Sequence, residues 1–331
     1  LGVIAVVGAA GTIGRNVARF LEEWGAPFAR RDARLDGEEH VDASDAAAVG
    51  RALEGCTVCV NCADYRLNLP VMRGALEAGA HYVDLGGLYH VTNQQLALDA
   101  ELRERGLGAL LGVGSAPGKT NLLAAAAAAR LGEAPRSMEI WAAMRDPAAE
   151  GHPFPAPYAV RTLVDELSMP PVVVEDGQAI KVEPLSGEAS RDFPEPVGRA
   201  TGIYTLHSEL ATLPTAFPSL QRASFRLCLS PGLLEKLLAL REGEEPQPYE
   251  QSSASVAVHL VDAEGEQSRV VGWTVTRGGS ARSTSEPAAR AAVELLEGRM
   301  SLIGAMAPEA AIPDPESFLA LLGTEVYWDV A

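Results

Sequence analysis

Val3-Ile4-Ala5-Val6-Val7-Gly8-Ala9-Ala10-Gly11-Thr12-Ile13-Gly14 is the stretch that decides the fold. A short apolar, β-branched run passes directly into glycines spaced G-x-x-G-x-x-G, and Val17, Phe20 and Leu21 then recur on one helical stripe. Strand, tight turn and helix N-terminus in that order open a dinucleotide-binding βαβ unit. Gly8 permits the turn, Gly11 lets a pyrophosphate approach the backbone, and Gly14 lets helix and strand pack closely. The N–H groups of Thr12, Ile13 and Gly14 at the helix start are placed to hold the phosphates. The plainer alternative is a glycine-rich turn in an α/β domain that binds nothing.

Outward from this stretch, strand and helix alternate at the spacing of a parallel sheet. Strands are expected at 26–30, 39–41, 57–61, 81–84 and 107–113. The helices between them include one capped by Ser44 and ended by Gly55, one over 68–77, and one over 92–105. An alanine-rich helix then runs to Arg130. Residues 1–134 are assigned to this doubly wound, Rossmann-type domain. The rhythm then changes. A strand at 138–143, a proline-rich loop at 151–157 and a helix over 158–167 precede a hairpin at 172–180 with an Asp176-Gly177 turn. Segments 224–229 and 255–261 alternate like strands with one solvated face, and 272–276 is expected to pair with the latter. Residues 135–284 are thus expected to form an α+β substrate domain of mainly antiparallel sheet. A C-terminal helix over 286–296 and the tail, 285–331, return to the first domain. The fold class is α/β with a second α+β domain.

The 331 residues suffice for two domains, and at 47% hydrophobic the chain is globular. A net charge of −17 argues against nucleic acid and anionic membranes as partners. No apolar run approaches the ~20 residues that span a bilayer. The apolar opening is too short for a signal peptide, and four cysteines without a targeting segment fit a reduced cytoplasm.

Cofactor preference is read at the end of the second strand, where an NAD site places Asp or Glu on the ribose hydroxyls. Here the chain reads Phe28-Ala29-Arg30-Arg31-Asp32. Two guanidiniums suit a 2′-phosphate, so NADP is expected ahead of NAD. A shift of one residue would make Asp32 the ribose ligand and reverse that order. Asp42 and Ala43 mark the adenine edge; Asp42 equally suits a helix start. Ligands bind at the carboxyl ends of such strands. This marks Asn61, Cys62 and Ala63 beside the nicotinamide ribose, together with Tyr65, Asp84 and Gly114.

Two motifs are set aside. Cys56-x-x-Cys59-x-x-Cys62 has metal-ligand spacing, but on an extended strand Cys59 faces away from the other two, so no metal is expected. Residues 112–120 nearly spell a P-loop, with Val113 where its first glycine belongs. This loop is read instead as lining the ligand cleft, with Ser115 and Lys119 as substrate contacts.

Of six histidines, His207 stands out in Tyr204-Thr205-Leu206-His207-Ser208-Glu209. On a strand, His207 and Glu209 share a face, so the carboxylate would orient and charge the imidazole. Such a histidine suits acid/base work in C–N or C–O redox chemistry. Tyr65 and Asp84 are candidates to share the task. Glu209 and Arg161 join the substrate-binding candidates. His90, His152 and His259 are weaker choices.

These residues resemble the saccharopine dehydrogenase-like NAD(P)-dependent oxidoreductases, which include saccharopine reductase, carboxynorspermidine dehydrogenase and lysine 6-dehydrogenase. The likeness is carried by the glycine loop, by Ala75-Leu76-Glu77-Ala78-Gly79-Ala80-His81-Tyr82-Val83-Asp84, and by the helix near Leu96 to Gly106. It continues in Gly114-Ser115-Ala116-Pro117-Gly118-Lys119-Thr120-Asn121, the Tyr204 to Glu209 segment, and the tail Ala307-Pro308-Glu309-Ala310-Ala311-Ile312. The resemblance implies hydride transfer at a C–N bond of an amino-acid-derived amine or imine, and often a homodimer. It also admits oxidative deamination of a lysine-like ε-amine, or a non-catalytic NAD(P)-binding sensor. One departure is Ala116, where saccharopine reductases usually carry Asp.

Overall fold

The computed structural model describes residues 2–152, 154–156, 158–240, 244, 246 and 251–330. Pro153 and Pro157 of the proline-rich loop lie outside the described residues. The chain opens with β1 (Ile4–Val7), α1 (Thr12–Glu23), β2 (Phe28–Arg31), α2 (Ala46–Ala52), β3 (Val58–Asn61), α3 (Asn68–Ala78) and β4 (His81–Asp84). Next come α4 (Tyr89–Leu96), α5 (Asp99–Glu104), β5 (Gly108–Leu110), α6 (Lys119–Leu131), β6 (Ser137–Arg145) and α7 (Val160–Ser168). Strands β7 (Val172–Glu175), β8 (Gln178–Lys181), β9 (Ala189–Asp192) and β10 (Arg199–Tyr204) lead to α8 (Glu209–Ala216) and β11 (Arg222–Cys228). After α9 (Pro231–Leu238) come β12 (Val256–Glu264), β13 (Arg269–Arg277) and α10 (Gly279–Leu296). The chain closes with β14 (Gly304–Met306), α11 (Pro308–Ala311), α12 (Pro315–Leu321) and β15 (Glu325–Val330). Two compact units result: Leu1–Lys119 with Thr284–Pro313, and Thr120–Ser283 with Asp314–Ala331.

The first unit is built on a parallel six-stranded sheet in the order β14-β5-β4-β3-β1-β2. All residues of β1 and β3 are buried, as strands covered on both faces require. Gly14, Val17, Phe20 and Leu21 form the buried stripe of α1, as their spacing predicts. Local details depart from sequence expectation. The strand expected at 39–41 is a single bridge, Asp32 to His40, after a short 3-10 turn at Gly37–Glu39. Gly37 has φ +61, and only Val41 of that acidic stretch has a buried side chain to hold it in a sheet. The cap of α2 is Asp45, which accepts from the amides of Ala47 and Ala48, while Ser44 donates to Asp42. The helix expected over 92–105 is two, α4 and α5, meeting where Leu98 turns into the core.

The second unit holds a nine-stranded sheet running β15-β13-β12-β6-β11-β10-β9, with β7 and β8 added beside β11. It is antiparallel except where β11 pairs with β6. The hairpin β7–β8 turns through Asp176 (φ 48) and Gly177 (φ 73), the left-handed pair that matches strand twist. Strands β12 and β13 pair as expected. The tail differs from expectation: β15 pairs along β13 in this sheet, placing 314–331 in the second unit. The Tyr204–Glu209 segment is also not a continuous strand. β10 ends at Tyr204, and Glu209 opens α8, where an acidic residue suits the helix dipole. Among the described residues, no helix is long and apolar enough to cross a membrane.

Candidate functional site

In the first unit the glycine loop is clamped between two strand exits. The amides of Gly8 and Ala9 donate to Arg31 O at 2.8 and 3.2 Å, and Cys62 N donates to Val7 O at 2.8 Å. Gly8 has φ +80, and a Cβ there would meet Ala63 N at 2.7 Å. A Cβ on Gly14 would stand 2.2 Å from Gly8 O. Only glycine therefore lets α1 approach β1 this closely. Helix α1 begins at Gly11 with no side-chain cap and no acidic residue in its first turn. The first amides of a helix, including those of Thr12, Ile13 and Gly14, have no intrahelical acceptor. Open amides, a positive helix end and a backbone stripped of side chains fit a dinucleotide pyrophosphate.

The neighbouring candidates are placed as follows. Arg31 Nε donates to Ala52 O at 2.8 Å and its Nη1 to Arg30 O at 2.8 Å, so this guanidinium is turned along the backbone. The Arg30 side chain is half-buried. Asp32 is 6% exposed and bound to Ala10 N and Arg34. Asp42 is exposed and accepts from Ser44 N and Oγ, and Ala43 is half-buried beside it. Asn61 donates to Asn68 Oδ1 and Tyr82 Oη and accepts from Ala63 N, which fixes the β3 exit. Burial pushes the thiols of Cys59 and Cys62 far above the ordinary range.

Tyr65 is buried under the Arg66 guanidinium, 4.6 Å from its ring centroid. Asp84 is buried at the end of β4. Its Oδ1 accepts from Gly86 N and Gly112 N at 2.9 and 2.7 Å, and its Oδ2 from Gln95 Nε2 at 2.7 Å. Burial pushes its carboxyl up, against the pull of these bonds. Asp84 thereby ties the exits of β4 and β5 to α4. The loop after β5 closes on itself: Gly114 N donates to Pro117 O, and Lys119 N to Gly114 O. Ser115 is half-buried, and Lys119 is fully buried rather than projecting as a P-loop lysine does.

The second unit carries a different constellation around His207, which is 5% exposed. Its ring stacks on Phe225 at a centroid distance of 3.7 Å. Nδ1 lies 2.7 Å from Glu209 Oε2, and Glu209 Oε1 accepts from Thr120 Oγ1 at 2.7 Å. On the other side, Nε2 lies 3.8 Å from Glu166 Oε1, and Tyr158 Oη donates to Glu166 Oε2 at 2.5 Å. Burial presses the His207 pKa down, but the charge and hydrogen bond of Glu209, with the charge of Glu166, outweigh it and leave it raised. Burial pushes the Glu166 carboxyl up as well. The hydroxyls of Thr205 and Ser208, either side of this segment, are buried without a partner among the described residues. Buried polar atoms are nearly always satisfied, so orphans beside an imidazole point to a ligand or water position.

His207 and Glu209 do come together as the sequence predicts, through a loop and helix start rather than a strand face. Arg161 is exposed on α7. Sequence reasoning missed Glu166, Tyr158 and Thr120. A signal for Glu166 was present: it sits between Leu163 and Leu167 on the buried stripe of α7, where a carboxylate is costly unless it works.

Residues 31–110 match the family described as the saccharopine dehydrogenase NADP binding domain. The match begins after the glycine loop. Among solved structures, the chain is similar to apo saccharopine dehydrogenase (L-Glu forming) from Saccharomyces cerevisiae, with TM-score 0.69 and 13% identity over 100% of both chains. It also aligns with an engineered D-amino acid dehydrogenase (TM-score 0.49, 12% identity, 94% of this chain and 95% of that one). A third is an oxidoreductase from Agrobacterium radiobacter in complex with NAD+, L-tartaric acid and magnesium (TM-score 0.40, 12% identity, 97% and 94%). At those two scores neither bears on the reading. Residues 31–110 are thus similar to a saccharopine dehydrogenase NADP binding domain, and the fold is similar to that of saccharopine dehydrogenase.

Proposed function

We propose that this saccharopine dehydrogenase-like chain is an NADP(H)-dependent oxidoreductase that works at the C–N bond of an amino-acid-derived amine or imine. The observation that carries the reading is the two-sided setting of His207. Glu209 fixes Nδ1 at 2.7 Å, whereas Nε2 makes no hydrogen bond among the described residues. A carboxylate that orients one ring nitrogen leaves the other to move a proton.

A nicotinamide held by the glycine loop would supply the hydride for such a reaction. His207 would hold on Nε2 the proton that the nitrogen needs when the carbon is reduced. A raised imidazole pKa keeps that proton available at neutral pH, which favours the reductive direction. Glu209 holds the imidazolium, and the two glutamates around one imidazole favour a cationic amine over an anionic head group. The unpartnered hydroxyls of Thr205 and Ser208 are the candidate donors to the substrate. By the family resemblance the chain would act as a homodimer.

The test is a cofactor titration followed by a substrate panel of amino acids, polyamines and 2-oxo acids, read at the nicotinamide absorbance band. His207→Gln should retain cofactor affinity and lose roughly 10²–10⁴-fold in turnover. Failure to bind NADPH or NADH even at millimolar concentration refutes the reading. Tight binding without turnover across the panel would favour a nucleotide sensor instead.

A further inference from the structure

We propose that Arg34, clamped by Asp32, is the residue that reads a 2′-phosphate on the cofactor and so selects NADPH over NADH. The inference rests on the dinucleotide reading of the glycine loop and names the residue pair that sets its specificity.

Asp32 follows β2, where a carboxylate would bond the ribose hydroxyls of NAD. Its own bonds leave no room for that. Oδ1 accepts from Arg34 N at 2.9 Å and Arg34 Nε at 3.0 Å. Oδ2 accepts from Arg34 Nη2 at 3.0 Å and from Ala10 N, inside the glycine loop, at 3.0 Å. A carboxylate offers about four acceptor sites, and all are taken. The guanidinium in turn holds the Asp32 carboxyl down to about 2, so the clamp stays charged at any working pH.

Arg34 spends Nε–H and one Nη2 hydrogen on this clamp. Both Nη1 hydrogens and one on Nη2 stay open, on a side chain 63% exposed. Nη2 stands 3.5 Å from where a Cβ on Gly11 would be, so the open donors lie beside the second glycine of the loop. That position is next to the N-terminus of α1, whose positive end favours a phosphate dianion. Planar paired N–H groups are the geometry that phosphate oxygens take, and a guanidinium already held in place loses less freedom on binding. Arg31 is held elsewhere, its Nε on Ala52 O and its Nη1 on Arg30 O, whereas Arg34 is the guanidinium found against Gly11.

The experiment is calorimetric titration of the intact chain with NADPH, NADH, adenosine 2′,5′-bisphosphate and AMP. It is run on the natural sequence and on Arg34→Ala, Arg30→Ala and Asp32→Asn. Arg34→Ala leaves Asp32 its bonds to the amides of Ala10 and residue 34, so the chain should still fold with a lowered melting temperature, which is checked alongside. The natural chain should prefer NADPH and the bisphosphate. Arg34→Ala should weaken both by roughly 10- to 100-fold and leave NADH and AMP unchanged. Asp32→Asn should weaken NADPH less, by loosening the clamp, without improving NADH to parity. Unchanged NADPH affinity in Arg34→Ala, a loss confined to Arg30→Ala, or an NADH preference abolished by Asp32→Asn would each overturn the inference while sparing the dinucleotide reading. No binding of either nucleotide by the natural chain would overturn both.

Discussion

Glu209→Gln is the sharpest probe of the second unit. Glu209 is fully buried and bridges His207 Nδ1 and Thr120 Oγ1, both at 2.7 Å. Glutamine keeps the shape. Its carbonyl oxygen accepts from His207, and its amide faces the Thr120 hydroxyl, which can rotate to accept. Only the charge is lost. Breaking a buried ion pair by removing one partner costs about 3–5 kcal/mol, whereas a neutral hydrogen bond is worth about 1 kcal/mol. The loss therefore depends on whether His207 is charged. Its folded pKa is raised, so its contribution to stability is fully present below the unfolded value of about 6.5 and is lost as pH rises through the folded value. The gap between parent and variant should be about 3–5 kcal/mol near pH 6 and shrink toward about 1 kcal/mol once His207 is neutral. Urea unfolding over a pH series measures this. The His207 imidazole signal in NMR should also titrate at lower pH in the variant, since burial then opposes the proton with only Glu166 to offset it. An imidazole that titrates at the same pH in both proteins, or a stability gap independent of pH, would refute Glu209 as its counterion.

Three further outcomes are expected. Gly14→Ala places a methyl 2.2 Å from Gly8 O, so α1 must move off β1. It should cost about 1–3 kcal/mol in calorimetry and weaken NADPH in titration. Asp84→Asn should cost only about 1 kcal/mol, because Gln95, whose Oε1 has no partner, can turn its amide to meet the new donor. The raised pKa of Asp84 gives the parent stability that is greatest at low pH and falls as pH climbs through the folded value, and melts of the variant should lack that slope. Thr120→Val removes the hydroxyl that donates to the buried Glu209 carboxylate and should destabilise by about 1.5–3 kcal/mol without altering cofactor affinity, as unfolding and titration in parallel would show.

The sheet-and-helix rhythm of the first unit was legible because its cause is local. Buried parallel strands need continuous apolar runs, and Gly14 answers a contact with Gly8 only six residues back in the chain. The D-G hairpin was readable for the same reason. Marginal elements were not. The bridge at His40 and the break between α4 and α5 depend on which side chains find a core, and so does the pairing of β15 with β13.

The site divides along the same line. His207 and Glu209 were paired from a spacing of two, a proximity that survives whether the backbone is strand or helix start. Glu166 reaches the same imidazole from distant chain, Thr120 and Tyr158 bond the two glutamates that flank it, and the Asp32–Arg34 pair meets the glycine loop only because β1 and β2 lie side by side. By itself the sequence determined the fold class, the nucleotide loop and a histidine–carboxylate pair, all set by short-range pattern. Tertiary structure alone decided which carboxylates flank the histidine and which arginine lies beside the glycine loop. Those depend on hydrogen bonds between residues far apart in the chain, and composition and periodicity carry no record of them.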